Sequence, residues 1–243
     1  MKIISIIFIK KFEKLIMKWH FDDFIYGSID GAVTTFAIVA GVVGAGLPPG
    51  IILILGFANI FADGFAMAAA NFQASKARNE FIQMKRKQEE WEIDNLEDEE
   101  KEEIRDIYRK KGFKDELLEE IVRIITSRRK VWVDTMMREE LGLIEDEKKP
   151  IDSSISTFVG FNLIGVIPLV PFIIFFTFNS NLNSDTFLYS TISVAIAFFI
   201  VGMIKAKIVK KSMIRSGVYT LIIGGIAATV AYIIGYGLNF LVQ

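Results

Sequence analysis

The sequence contains no cysteine, which removes disulfides, thiolate metal sites and cysteine nucleophiles at once. It has a single histidine, His20, so a histidine-rich metal centre is excluded too. Any metal held by this chain must sit among carboxylates, amides, carbonyls or methionine sulfur. There is no P-loop, no dinucleotide-binding glycine pattern, no His-Glu-x-x-His motif and no serine within reach of a histidine partner. The chain therefore does not read as an enzyme, and neither a prosthetic group nor nucleic acid is expected. No strand-like alternation, internal repeat or low-complexity tract is present.

What is present is apolar residue in long runs. Of 243 residues, 52% are hydrophobic, too many for an ordinary soluble domain. The charge is segregated. Residues 76–150 hold 22 of the 29 acidic groups and 18 of the 28 basic ones, so the net charge of −1 averages two unlike regions. Five stretches are long enough to cross ~30 Å of hydrocarbon at ~1.5 Å per residue: 24–46, 51–71, 155–178, 187–204 and 217–242. The sequence thus predicts an all-α membrane protein. It has five transmembrane helices, with a helical domain inserted between the second and third.

Lysine and arginine set the orientation. The N-terminal arm is basic. Its apolar run is short and lacks a cleavage site, so residues 1–23 read as an amphipathic surface helix with lysines 10, 11, 14 and 18 at lipid headgroups. This places the arm, residues 76–150 and the basic loop Lys205, Lys207, Lys210, Lys211 and Arg215 in the cytoplasm. The uncharged turn 47–50 and the segment 179–186 lie outside. The expected organisation is 1–23 surface arm, 24–75 first two spans, 76–150 cytoplasmic domain and 151–243 last three spans. A compact N-terminus without an organelle address favours a prokaryotic plasma membrane, or a vacuolar membrane in a eukaryote.

The polar segment reads as helices. The second span runs on without proline or glycine to about residue 93, which predicts one long helix. Asp94 with Glu97 resembles a capping box for the next, ending at Gly112. A third begins at Asp115 and presents residues 117, 118, 121, 122 and 125 on one side. A fourth covers about 129–141 and stops at Gly142. Residues 145–150 form a charged linker.

Two constellations carry chemistry. The first surrounds Asp30, a carboxylate inside the first span among Gly27, Ser28, Gly31 and Ala32. Ionised groups in hydrocarbon are costly and face a protein interior or a water-filled path, and small neighbours admit a second helix closely. On the second span Asn59, Asp63 and Met67 recur every four residues and share one face. With Asp30 and Thr34 they combine hard oxygen with soft sulfur, a set suited to Fe2+ or Mn2+. The alternative is a buried aspartate that caps or pairs with a neighbouring helix. The second constellation is the run 89–106, with eleven acids and two bases. Glu89 and Glu92, Glu100 and Glu103, and Met136 and Glu140 form same-face pairs. If the helices fold back, their carboxylates converge and a cation relieves the repulsion. The alternative is a charged face turned to water. In the third span Pro168 and Pro171 break the helix. Their freed carbonyls either line a path or accompany a simple kink.

With these residues in hand, the chain resembles the vacuolar iron transporter family. The resemblance rests on DFIYGSIDGAVTTFAIVAG, GFANIFADGFAMAAANF, KVWVDTMMREELGL and IPLVPF, in that order along nearly the whole chain. It implies five spans, a homodimer with the pathway at the subunit interface, and exchange of a divalent metal for protons. It implies that Asp30 and Met67 serve the transmembrane pathway. It implies that Glu89, Glu92, Glu100, Glu103, Met136 and Glu140 bind metal in the cytoplasmic domain. The sequence departs from plant-type members at Asn59, where they carry glutamate, and Asp63 one turn away is the candidate replacement. The expected function is an Fe2+, and also Mn2+, proton antiporter that exports metal from the cytoplasm. Alternatives are a Mn2+- or Ca2+-selective exporter and a membrane-anchored metal sensor without flux.

Overall fold

A computed structural model of the chain describes residues 20–144, 149–178 and 184–239. The expected surface arm up to residue 19, most of the charged linker and most of the 179–186 segment lie outside the described residues. Every described element is helical. In chain order they are α1 (Phe21–Gly44), α2 (Gly50–Asn95), α3 (Glu97–Lys110), α4 (Asp115–Thr126) and α5 (Arg129–Thr135). A π turn follows at Met136–Glu140. Then come α6 (Pro150–Gly165), a 3-10 turn at Ile167–Leu169, α7 (Val170–Thr177), α8 (Ser184–Ile208) and α9 (Met213–Leu238). Five stretches are long and apolar enough to cross a membrane: α1, α2, Pro150–Thr177, Thr186–Ile208 and α9. Together with outward-facing Ile222, Ile226 and Ile233 on α9, all exposed, they make this a multi-pass membrane protein whose exterior suits lipid. The chain divides into two compact units. One is built from the chain up to Gln73 and from Lys148 onward, the other from Ala74–Glu147.

In the first unit α1 is the central helix. Its small residues let backbones touch. A side chain at Gly27 would overlap the Thr157 carbonyl, one at Gly31 the Phe161 carbonyl, and one at Gly160 the Phe24 carbonyl. These pairings advance together along both helices, so α1 and α6 run parallel. Gly44 and Gly235 seat α1 against α9 in the same sense. α2 runs the opposite way, with Gly56 against Leu169 and Gly64 against Phe161 and Asn162. α8 is antiparallel to α9, since Gly202 meets Ser216 while Phe198 meets Gly224. The apolar core joins Phe36, Val39, Ile52, Ile60, Leu169, Phe172, Val194 and Phe198. Proline breaks the third span at the 3-10 turn, as its sequence requires. The Pro168 carbonyl so freed accepts a 2.7 Å hydrogen bond from the buried Ser190 hydroxyl of α8. Of the two readings of this break, the bond places that carbonyl in interhelical packing.

The second unit buries Ile82 and Ile93 of α2 against Ile104, Val122, Ile125, Trp132, Val133, Met136 and Met137. α4 starts at Asp115 as its sequence predicts. It buries Leu118, Val122 and Ile125, while Leu117 stays 58% exposed. The capping box expected from Asp94 and Glu97 does not form. Asp94 lies inside α2, whose last residue is Asn95, and the N-cap of α3 is Leu96 with no side-chain bond. Asp94 pairs instead with Arg129 at 2.7 Å. An ionised guanidinium is a stronger partner than a backbone N–H. The first turn of α3, Glu97 to Glu100, is wholly acidic and complements the helix dipole. Gly142 adopts φ 64°, the left-handed turn that ends the last helix of the unit.

Candidate metal pathway and carboxylate cluster

The four-residue spacing on α2 becomes a polar stripe packed on α1. At one end the Asn59 amide donates to the hydroxyls of Thr34 and Thr35, at 3.2 and 3.3 Å. Thr34 in turn donates to the Asp30 carbonyl at 2.9 Å, which fixes its rotamer. In the middle, Asp30 and Asp63 stand within electrostatic reach of each other. Both are half-buried, as is Met67 one turn further along α2. Two carboxylates sharing a low-dielectric site repel, and a cation or a shared proton relieves the repulsion. The structure thus brings Asp30, Thr34, Asn59 and Asp63 together. It places Met67 on the same α2 face.

The stripe extends one step beyond what its sequence suggested. Asn71, four residues after Met67, donates to Asp23 at 2.9 Å and to Thr157 at 2.6 Å. Ser153 donates to the other Asp23 oxygen at 2.6 Å. The buried His20 ring lies 3.9 Å from the same carboxylate. The spacing 59–63–67–71 and the seven-residue separation of Asp23 from Asp30 were the available signals. Asp23 near the start of α1 is inconspicuous in sequence because a carboxylate there is ordinary helix-terminal chemistry.

In the second unit, five of the six nominated side chains form one electrostatic cluster. Glu89 and Glu100 are 3% and 4% exposed, although glutamate is rarely buried. One carboxylate oxygen of each has no hydrogen-bond partner, and the buried Trp132 indole N–H also lacks one. Burial, then the charges of Glu140, Glu92 and Glu103, push the Glu89 carboxyl up to about 7, against the opposing effect of Lys85. Burial, then Glu103, Glu89, Glu92 and Glu140, push Glu100 to about 8. Glu103 and Glu140 are raised as well, first by burial and then by their acidic neighbours. Glu92 accepts a 3.0 Å bond from Gln88. Among the described residues no three acidic or histidine side chains stand at the spacing that grips one ion. The carboxylates are gathered closely enough to influence one another's ionisation. Met136 differs from the other five. It is fully buried in the apolar core of the unit, at the start of the π turn whose last residue is Glu140.

The fold and the stripe define a multi-pass helical membrane protein with paired carboxylates inside its spans. The VIT family model matches residues 21–236, and the chain belongs to that family. Relatives include "Vacuolar iron transporter" of Plasmodium falciparum, 36% identical over 218 residues, covering 87% of this chain and 79% of the relative. The protein of the same name from Plasmodium berghei is 34% identical over 223 residues, 90% of this chain and 82% of the relative. "Vacuolar iron transporter 1" of Arabidopsis thaliana is 29% identical over 211 residues, 86% and 82% of the two chains.

Proposed function

We propose that this protein exports Fe2+, and also Mn2+, from the cytoplasm in exchange for protons, as a homodimer. The observation that carries the reading is the Asp30–Asp63 pair within the membrane spans, flanked by Asn59, Thr34 and Met67. The family and the iron-transporter names of its relatives support metal as the cargo. In this mechanism the glutamates of residues 76–150 face the cytoplasm and concentrate metal. Their raised pKa values mean that capture releases protons. Asp30 then binds the ion with Asp63, and Met67 adds a soft ligand that favours Fe2+ over Mg2+. Proton binding to Asp30 from the far side discharges the metal and couples the two fluxes. Asp63 supplies the carboxylate that Asn59 does not.

Reconstituted vesicles with an imposed pH gradient test the proposal. Asp30→Ala abolishes metal-driven proton movement and Fe2+ uptake. A variant that moves iron as fast as the unmutated protein would overturn it. Competition among Fe2+, Mn2+ and Ca2+ in the same vesicles separates iron export from a Mn2+- or Ca2+-selective exporter.

A further inference from the structure

The reversal between α8 and α9 is the most cationic part of the first unit among the described residues. Lys205, Lys207, Lys210, Lys211 and Arg215 fall within eleven residues, and all five are exposed. None of them forms an ion pair with a described residue. The contrast with the second unit is sharp. There Arg86, Arg105, Arg109, Arg123 and Arg129 each have a carboxylate partner. No aspartate or glutamate occurs anywhere from residue 186 to 243. Local sequence therefore provides no neutralising charge.

The turn is also tight. Lys210 holds φ 52°, a left-handed conformation that costs a residue other than glycine some strain. The Lys211 amide closes the turn on the Ala206 carbonyl at 2.9 Å. This keeps the end of α8 and the start of α9, with the cations they carry, in one short reversal. Apolar side chains are interleaved with them. Val209 is 53% exposed, Met213 41% and Ile214 68%. Exposed aliphatic groups beside long cationic ones suit the boundary of a bilayer, where stems lie in hydrocarbon and charged heads reach the phosphates. The helix directions put this turn at the end of the first unit where α1 and α6 begin.

We propose that the α8–α9 turn binds the phosphate groups of anionic phospholipids and that these lipids hold the ends of α8 and α9 in place. Charge complementarity identifies the occupant, and the interleaved apolar groups place it in a membrane. A loop that only directed insertion of the chain would need the charges but would show no preference among lipids in the folded protein.

The test uses the full-length protein in neutral detergent, offered phosphatidylglycerol or phosphatidylcholine and examined by native mass spectrometry. The unmutated protein retains phosphatidylglycerol in preference to phosphatidylcholine, and high salt erases the preference. The combined variant K205Q/K207Q/K210Q/K211Q/R215Q loses it, each cation removed weakening retention about fivefold. The charge-preserving K205R/K207R/K210R/K211R variant keeps it. All variants retain the N-terminal lysines, so their contribution cancels. The proposal is overturned if the neutralised protein retains phosphatidylglycerol as well as the unmutated one. It is overturned equally if the unmutated protein shows no preference, or binds polyglutamate but not the lipid. Should the neutralised variant fail to fold, the milder pairs K205Q/K207Q and K210Q/K211Q decide, each expected to weaken phosphatidylglycerol retention and overturning the proposal if neither does. Transport is not part of the readout, so the result is independent of the proposed cargo.

Discussion

Asn71 on α2 joins Asp23 on α1 through a 2.9 Å hydrogen bond, and the same amide nitrogen reaches Thr157 on α6 at 2.6 Å. One side chain thus ties three membrane-spanning helices together at the end of the polar stripe. Asn71→Leu removes both bonds while keeping the volume. It is expected to lower stability by about 1–2 kcal/mol, the range for hydrogen bonds to a charged acceptor and between membrane helices. Thermal unfolding in detergent measures this. Asn71→Asp should be worse, because it sets a second carboxylate against Asp23.

Asp63 is predicted to matter more than Asn59 for flux. Asp63→Asn should slow Fe2+ uptake by at least about tenfold, equivalent to ~1.4 kcal/mol of barrier. Stopped-flow uptake in vesicles reads the rate directly. Unchanged uptake would mean that Asp30 suffices as the carboxylate of the pathway.

The carboxyls of Glu89 and Glu100 predict a pH profile. A freely solvated glutamate titrates at 4.5, whereas these two sit at about 7 and about 8. The folded state therefore binds their protons more tightly than the unfolded chain does. Their stabilising effect is complete below about 4.5 and declines as pH rises from there through about 8. Without divalent metal, thermal unfolding of the full chain should fall across this window, and Glu100→Gln should flatten the fall. Added Mn2+ should restore stability at the alkaline end. Titration calorimetry in buffers of different ionisation enthalpy should show protons released on binding.

Ser190 caps a carbonyl that proline left without a partner, at 2.7 Å. Ser190→Ala leaves that buried acceptor unpaired, with an expected cost of about 1–2 kcal/mol. Ser190→Thr should recover most of it if the added methyl is accommodated. Parallel melting curves of the two variants check the assignment.

Gly27 is among the positions most sensitive to packing. A valine there would drive carbon into the Thr157 carbonyl. Gly27→Val should destabilise by about 1–3 kcal/mol or prevent assembly of the bundle. Val159→Ala, on a partly buried side chain of α6, should be tolerated. Expression level and monodispersity in detergent distinguish the two.

Much of this architecture is written in composition. Hydrocarbon demands long apolar runs, so the five spans are legible. The absence of glycine and proline after Ile51 apart from Gly56 and Gly64 makes the length of α2 legible too. The four-residue period of Asn59, Asp63 and Met67 places them on one face because a helix repeats every ~3.6 residues. Partners across helices are harder. Nothing local to Ser190 announces Pro168, and nothing local to Asp23 announces Asn71. The failed capping box has the same origin. Asp94 chose Arg129, 35 residues away, over its own backbone. Burial was the other hidden quantity. Glu89 and Glu100 lie in a charge run like their neighbours, and only packing withdraws them from water while leaving Glu97 and Asp98 exposed.

The glycine contacts between α1 and α6 act as a ratchet tooth. A screw step of one residue, ~1.5 Å of rise with ~100° of rotation, would bring Ser28 or Ala32 to the places where Gly27 and Gly31 admit a backbone carbonyl. Those larger side chains do not fit there. The two helices must therefore travel as one rigid piece. Any alternation of access that exposes Asp30 first to one side and then to the other has to be produced by elements moving around that piece, with Asp30 carried as a fixed reference point.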